Sequence, residues 1–261
     1  MTENSIFITS RFECCRDGLT IRGIEYRPAG DNLPIAIVCH GFMGRGEHFS
    51  QYATKLAELG YCSYCFDFCG GSHESSSDGA TEDMTVLTEV HDLKAVIDYA
   101  LSQTYTRSKD ILLLGCSQGG FVAALTAKEL KTQVAKLVLF YPALCIPDDA
   151  CKGQMMFAKF DPNDIPETIE CGPMKLGRCY PAAVIALDAY EEIKDYNGKV
   201  LIVHGTEDEI VKQSYAERAF AAYNSTAPDR ASLHIIEGGC HGFTEDHDRE
   251  AIAMLEEFAK I

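Results

Sequence analysis

The sequence has no excess of basic residues: 23 Lys and Arg stand against 39 Asp and Glu, a formal net charge of −16. Such a chain has no cationic footprint with which to displace counterions from a phosphate backbone, and little attraction for anionic lipid. Neither nucleic acid nor a membrane surface is expected as a partner. No apolar run approaches the roughly 18 residues that a membrane span needs. The opening residues MTENSIFITSRFECCRDGLT lack the basic start and apolar segment of a secretory signal, so the expected location is the cytoplasm. A second C-x-x-C is also missing. The twelve cysteines are scattered through apolar segments such as IAIVC and YCSYCFDFC, where reduced, buried thiols are the rule in a domain of this size. Cys62 and Cys65, near Cys69, lie three apart and face opposite sides of an expected strand, which does not suit a zinc site. No metal and no cofactor is called for. No internal repeat is visible.

What is present is an alternation of strands and helices in 261 residues of which 46% are hydrophobic, enough to bury a substantial core. Residues 5–13 and 19–27 read as a β-pair around Arg16-Asp17-Gly18, and 34–40 (PIAIVCH) as a buried strand. A helix over 47–59, a strand over 61–68 and a long amphipathic helix over 83–101 follow. DILLLGC, VAKLVLFY, KVLIVHG and ASLHIIEG are four more strands. Helical stretches at 118–130, 212–223 and 246–260 separate or follow them. This is the pattern of a mostly parallel sheet with helices on both faces. Residues 145–190 break it, carrying Pro147, Pro162, Pro166, Pro173 and Pro181 without sustained strand periodicity. The expected organisation is therefore a core of 1–144 and 191–261 with an inserted subdomain at 145–190, placed after a strand C-terminus, where open α/β sheets bind ligands.

The segment LLLGCSQGGFVAAL (112–125) holds two adjacent candidate nucleophiles. A strand that turns sharply into a helix exposes one side chain at the apex and needs small residues two before and two after it. Gly115 and Gly119 satisfy this for Ser117, whereas Leu114 and Gln118 would be too bulky for Cys116. A serine hydroxyl needs a base and an orienting acid, which in this type of fold follow in the order acid, then His. VLIVHGTEDEIV presents Glu207, Asp208 and Glu209 after a strand, and the pattern G-x-x-D-x-x-V over Gly205, Asp208 and Val211 favours Asp208. HIIEGGCHGF presents His241. His204 and His234 lie within strands and read as core or edge histidines, and His247 reads as part of a solvated helix start. The oxyanion donors expected are the N–H of Gln118, at a helix N-terminus, and that of Phe42, in the loop HGFMG after the 34–40 strand. His40 is expected to shape that loop.

Taken in order, HGF, GxSQGG, HGTEDEIV and EGGCHGF resemble the α/β-hydrolase superfamily. DMTVLTEVHDLKAVIDY, FDPNDIP and MKLGRCY are similar to segments of the bacterial feruloyl (cinnamoyl) esterases, and the likeness runs over nearly the whole chain. It implies an α/β-hydrolase fold with a small inserted lid, cleavage of hydroxycinnamate esters, and a substrate-binding role for Asp149 and Tyr180 at the phenolic hydroxyls. The partner implied is a small aromatic ester and, at most, a second copy of the chain. Two departures stand out: Cys116 replaces the His of the usual GHSQGG, and FCGGSHESSSDG replaces a shorter stretch. Two further functions remain open, a general short-acyl carboxylesterase or monoacylglycerol lipase with the same triad, and a catalytically inactive binding protein. The ordered triad argues against the last, and DDACKGQMMFAKFDPNDIP mixes acids with Met and Phe where a lipase lid should present a broad apolar face.

Overall fold

Strands β1 (Phe7–Arg16) and β2 (Leu19–Pro28) open the chain as an antiparallel hairpin whose two-residue turn, Asp17 and Gly18, has φ of 52° and 85°. Positive φ at both positions is the turn whose twist matches that of the flanking strands, and Asp-Gly is a preferred pair for it. The computed structural model describes residues 7–107 and 109–260, so residues 5 and 6 of the expected first strand lie outside the described residues. The chain continues through β3 (Ile35–Cys39), α1 (Ser50–Glu58), β4 (Cys62–Phe66), α2 (Val86–Ser102), β5 (Ile111–Cys116), α3 (Gln118–Glu129) and β6 (Val134–Phe140). It then leaves the sheet through α4 (Ile146–Cys151), β7 (Gln154–Met155), β8 (Ala158–Lys159), β9 (Thr168–Cys171), β10 (Met174–Gly177), α5 (Cys179–Val184) and α6 (Ala189–Ile193). It returns with β11 (Lys199–Gly205), α7 (Gln213–Thr226), β12 (Ala231–Ile236) and α8 (Glu245–Lys260).

The eight-stranded sheet has the order β1-β2-β4-β3-β5-β6-β11-β12. Only the β1/β2 and β2/β4 pairings are antiparallel. This is the α/β-hydrolase fold. Every residue of β3, β4 and β5 is buried, which is why those segments read as unbroken apolar runs: strands covered on both faces have no polar side. Alternation sends Ile35, Ile37 and Leu113 into one layer with Leu93 of α2 and Phe121 of α3. Ala36, Val38 and Leu114 go into the other layer with Leu56 of α1 and Leu255 of α8. Cys62 and Cys65 fall in opposite layers. No described helix is long and apolar enough to cross a membrane.

Two expectations are refined. The helix expected from residue 83 begins at Val86, because Thr85 caps it: the Thr85 hydroxyl accepts from the Thr88 N–H and the Thr88 hydroxyl accepts from the Thr85 N–H, a reciprocal box. The 145–190 stretch, in which the sequence shows no sustained strand periodicity, carries the ribbons β7/β8 and β9/β10. Strands of two to four residues are too short to set up a readable period of two.

A tight joint lies where β5 enters α3 through Ser117 alone. A methyl group on Gly115 would stand 2.2 Å from the Gly119 carbonyl oxygen, and one on Gly119 would stand 2.3 Å from that of His40. All these obstacles are backbone and cannot swing aside. Gly115→Ala and Gly119→Ala should each lower unfolding stability by about 1–3 kcal/mol or more, as overpacking in a close-packed core does. Urea denaturation checks this, and an unchanged midpoint in either variant would contradict the packing described.

Candidate active site

Ser117 sits at the apex between β5 and α3 with φ 53° and ψ −122°, in the left-handed region that a residue with a side chain rarely adopts. The surrounding bonds over-determine it. Its N–H donates to the Phe140 carbonyl (3.0 Å), and its own carbonyl accepts from Gly120 (2.9 Å) and Ala143 (2.9 Å). Cys116 points the other way, fully buried beneath the turn, and burial raises its thiol far above the ordinary range. Of the two neighbours, the serine is thus the one presented at the apex, as the glycine spacing requires.

His241 Nε2 lies 2.9 Å from Ser117 Oγ, and His241 Nδ1 lies 2.8 Å from Asp208 Oδ2. A carboxylate can only accept, so the imidazole proton sits on Nδ1 and the Nε2 lone pair faces the serine hydroxyl. Asp208 and His241 reach one another because the loops after β11 and β12 meet at two glycines. A side chain on Gly205 would stand 2.0 Å from the Gly239 carbonyl oxygen, and Glu207 N–H donates to that same oxygen at 2.9 Å. Asp208 is buried while Glu207 and Glu209 on either side are exposed. Asp208 Oδ1 accepts from the N–H groups of Ile210 (2.9 Å) and Val211 (2.8 Å). The Tyr141 ring, edge-to-face at 4.9 Å, braces the His241 imidazole from the end of β6, with a backbone φ of 38°.

His204 does not match its reading as a satisfied core histidine. It is fully buried, its Nε2 donates to the Val211 carbonyl at 2.8 Å and also lies 3.2 Å from Asp208 Oδ2, and its Nδ1 has no partner among the described residues. Two imidazoles therefore share one carboxylate oxygen. The four-residue separation of His204 and Asp208 across a strand end was the available signal, and strand membership masked it. His234 is exposed on edge strand β12, and His247 pairs with Thr244 at the start of α8.

The main-chain N–H groups of Phe42 and Gln118 form no intramolecular hydrogen bond among the described residues. Both residues border the space in front of Ser117. His40, buried and held neutral by that burial, donates from Nδ1 to the Gly41 carbonyl (2.8 Å) and accepts at Nε2 from Phe68 N–H (3.0 Å). Its task is to shape the 40–44 loop. That loop touches the apex: a methyl on Gly41 would lie 3.0 Å from Ser117 Cβ.

A cavity of about 260 Å³ opens from Ser117 toward the segment between β6 and β11, lined by Phe42, Gln118, Asp149, Met155, Leu176 and Tyr180. Phe157 at its rim is 71% exposed. Asp149 is half-buried, and burial raises its carboxyl above the ordinary range. The Tyr180 hydroxyl, fully buried, donates to Gln118 Oε1. Sequence reasoning passed over Glu89, to which Gln118 Nε2 donates at 2.8 Å.

Burial alone would disfavour the Asp208 carboxylate. The hydrogen bonds from His204 and His241 and from the Val211 N–H outweigh it and hold the group well below the usual carboxylate range. A depressed folded-state value contributes stability above the unfolded value of about 3.9, and that contribution is lost as pH falls below it. Asp208→Asn should therefore remove a component of acid lability: the loss of stability between pH 5 and pH 3, followed by thermal melting, should be shallower than in the wild type. An unchanged acid slope would show that the carboxyl is not depressed.

The chain matches the sequence profile of the serine aminopeptidase S33 family over residues 31–169. No curated protein matched it by sequence. Among solved structures it is similar to Est1E from Butyrivibrio proteoclasticus with ferulic acid bound, at 27% identity and a TM-score of 0.86, over 96% of this chain and 100% of that one. Est1E in a second structure gives 26% identity and 0.83, over 95% and 96% of the two chains. The Pyrococcus furiosus esterase Pf2001 gives 20% identity and 0.73, over 100% and 95%. The profile spans more than half of the sequence and includes the elbow at Ser117, and the fold found independently is the one such a match requires: the chain belongs to the serine aminopeptidase S33 family of α/β hydrolases.

Proposed function

We propose that the protein is a serine esterase that cleaves hydroxycinnamate esters through an acyl-enzyme. The observation that carries the reading is the unbroken chain Ser117–His241–Asp208 at the mouth of a cavity whose apolar wall of Phe42, Met155 and Leu176 is interrupted by Asp149 and Tyr180. An aromatic acyl group bearing hydroxyls suits that wall better than a plain alkyl chain. Est1E, solved with ferulic acid, supports the substrate class.

In this mechanism His241 Nε2 takes the Ser117 proton as Oγ attacks the ester carbonyl carbon, and the carbonyl oxygen becomes an oxyanion. The N–H groups of Phe42 and Gln118 donate to it. The imidazolium formed is stabilised by Asp208, and it returns the proton to the departing alcohol oxygen as the C–O bond breaks. Water then gives a proton to His241 as its oxygen attacks the acyl carbon, and the imidazolium returns that proton to Ser117 Oγ as the acyl–Oγ bond breaks and the acid leaves. Asp208 stays ionised throughout, which its hydrogen bonds favour. Residues 145–190 form the acyl-binding subdomain in this reading, with Asp149 and Tyr180 meeting the ring hydroxyls.

Ser117→Ala and His241→Ala should each lower turnover by roughly 10⁶, and Asp208→Asn by roughly 10⁴ through the wrong imidazole tautomer. Folded Ser117→Ala that keeps its activity while Cys116→Ala loses it would reverse the assignment of the nucleophile. For the substrate, kcat/KM is compared for methyl ferulate, p-nitrophenyl butyrate, a monoacylglycerol and an aminoacyl p-nitroanilide. Methyl ferulate should lead. A clear preference for the butyrate, the glycerol ester or the anilide would replace the hydroxycinnamate reading with a short-acyl, lipase or peptidase one and leave the triad in place.

A further inference from the structure

Glu89, in the first turn of α2, is 1% exposed and takes no part in the chemistry above. Gln118 faces it, His40 lies on the side of Gly71, and one turn further along the helix stands Asp92, whose charge is met by Arg16 at 2.8 Å. Burial, with Asp92 nearby, pushes the Glu89 carboxyl well above the ordinary range, and its Oε2 stands as the acceptor facing the Gln118 amide.

The hydrogen bonds running from it have a direction. Gln118 Nε2 donates to Glu89 Oε2 at 2.8 Å, which turns the amide oxygen away from α2, and that oxygen accepts the Tyr180 hydroxyl proton. The amide of Gln118 is thereby gripped at both ends, by the core on one side and by α5 of the inserted segment on the other. The proton of Tyr180 is committed inside the protein. What the phenol oxygen has left for a ligand is lone pairs, so toward a ligand it can only accept.

We propose that Glu89 is a positioning residue for specificity: by fixing the direction of the Glu89–Gln118–Tyr180 chain it makes the Tyr180 hydroxyl an acceptor, so that the site selects acyl rings carrying a free phenolic O–H over their methyl ethers. This rests on the acyl pocket proposed above. A methyl ether sets one acceptor against another and leaves both buried oxygens unpaired, a cost that disfavours it strongly in a site built for a donor.

The test measures kcat/KM for methyl 4-hydroxycinnamate and methyl 4-methoxycinnamate, and reads the ratio within each protein, which cancels differences in active fraction. The wild type should favour the hydroxyl ester by about tenfold. Glu89→Gln keeps a carbonyl oxygen for Gln118 and should hold the ratio to within about twofold. Glu89→Leu, or Glu89→Met if the leucine variant does not fold, removes the acceptor, frees the Gln118 amide to turn over, and should bring the ratio near one. Tyr180→Phe should do the same. A wild-type ratio near one, an apolar variant that keeps the preference, or a Glu89→Gln variant that loses it as fully as the apolar one would each overturn the relay. If neither cinnamoyl ester is cleaved while p-nitrophenyl butyrate is, the substrate reading falls and the relay falls with it. Turnover of both at equal rates overturns the relay alone.

Discussion

The site depends first on how closely two pieces of backbone approach. β5 and α3 are joined by one residue, and the Gly115–Gly119 contact leaves no room for a single methyl group. That closeness drives Ser117 into a conformation it would otherwise avoid, and the strain is sustained because the strand, the helix and the 40–44 loop hold it from three sides. A looser joint would let the serine relax, and Oγ would leave the line on which His241 Nε2 waits. The carbonyls of Gly119 and His40 crowd this joint, so the Ser117 hydroxyl and the neighbouring Gln118 N–H are positioned by the same contact.

Around this joint the protein sorts its buried titratable groups into different charge states with very few charges. Asp208 is kept ionised by four donors. His40, buried with one ring nitrogen donating and the other accepting, is kept neutral. Glu89, buried without a cation of its own, is pushed toward its protonated form. Environment sets the role, and identity alone does not. The same sorting sets Cys116 apart from its neighbour Ser117: desolvation opposes its thiolate, which is the reactive form.

Much of this was legible in the sequence, and the reasons are physical. β3, β5 and β11 are covered on both faces and so announce themselves as apolar runs, and the turns that follow them carry HGFMG, CSQGG and GTEDEIV. Spacing alone separated Ser117 from Cys116 and Asp208 from its acidic neighbours. What stayed hidden was what only three dimensions create. Glu89 reads as one more polar residue on an amphipathic helix, because its burial comes from Gln118 and from the inserted segment lying over it. His204 reads as a strand residue, because its contact with Asp208 depends on how the loop after β11 folds back. Tyr141 gives no sign in the sequence of its positive φ or of its ring against His241. The ribbons β7/β8 and β9/β10 fall below the length at which alternation carries information.

Ser117, Asp208 and His241 are drawn from unequal parts of the sheet. Ser117 follows β5, which is paired on both sides, whereas His241 follows β12, the last strand, hydrogen-bonded along one edge only. β12 has exposed residues at alternating positions where β5 has none. Local opening is easiest where buried contacts are fewest, so an opening confined to β12 would carry His241 away while Ser117 stays on a strand paired on both sides. Heat inactivation would then precede the cooperative melt and be reversible, and catalytic activity would report on the weakest foldon of the domain while circular dichroism still recorded a folded chain.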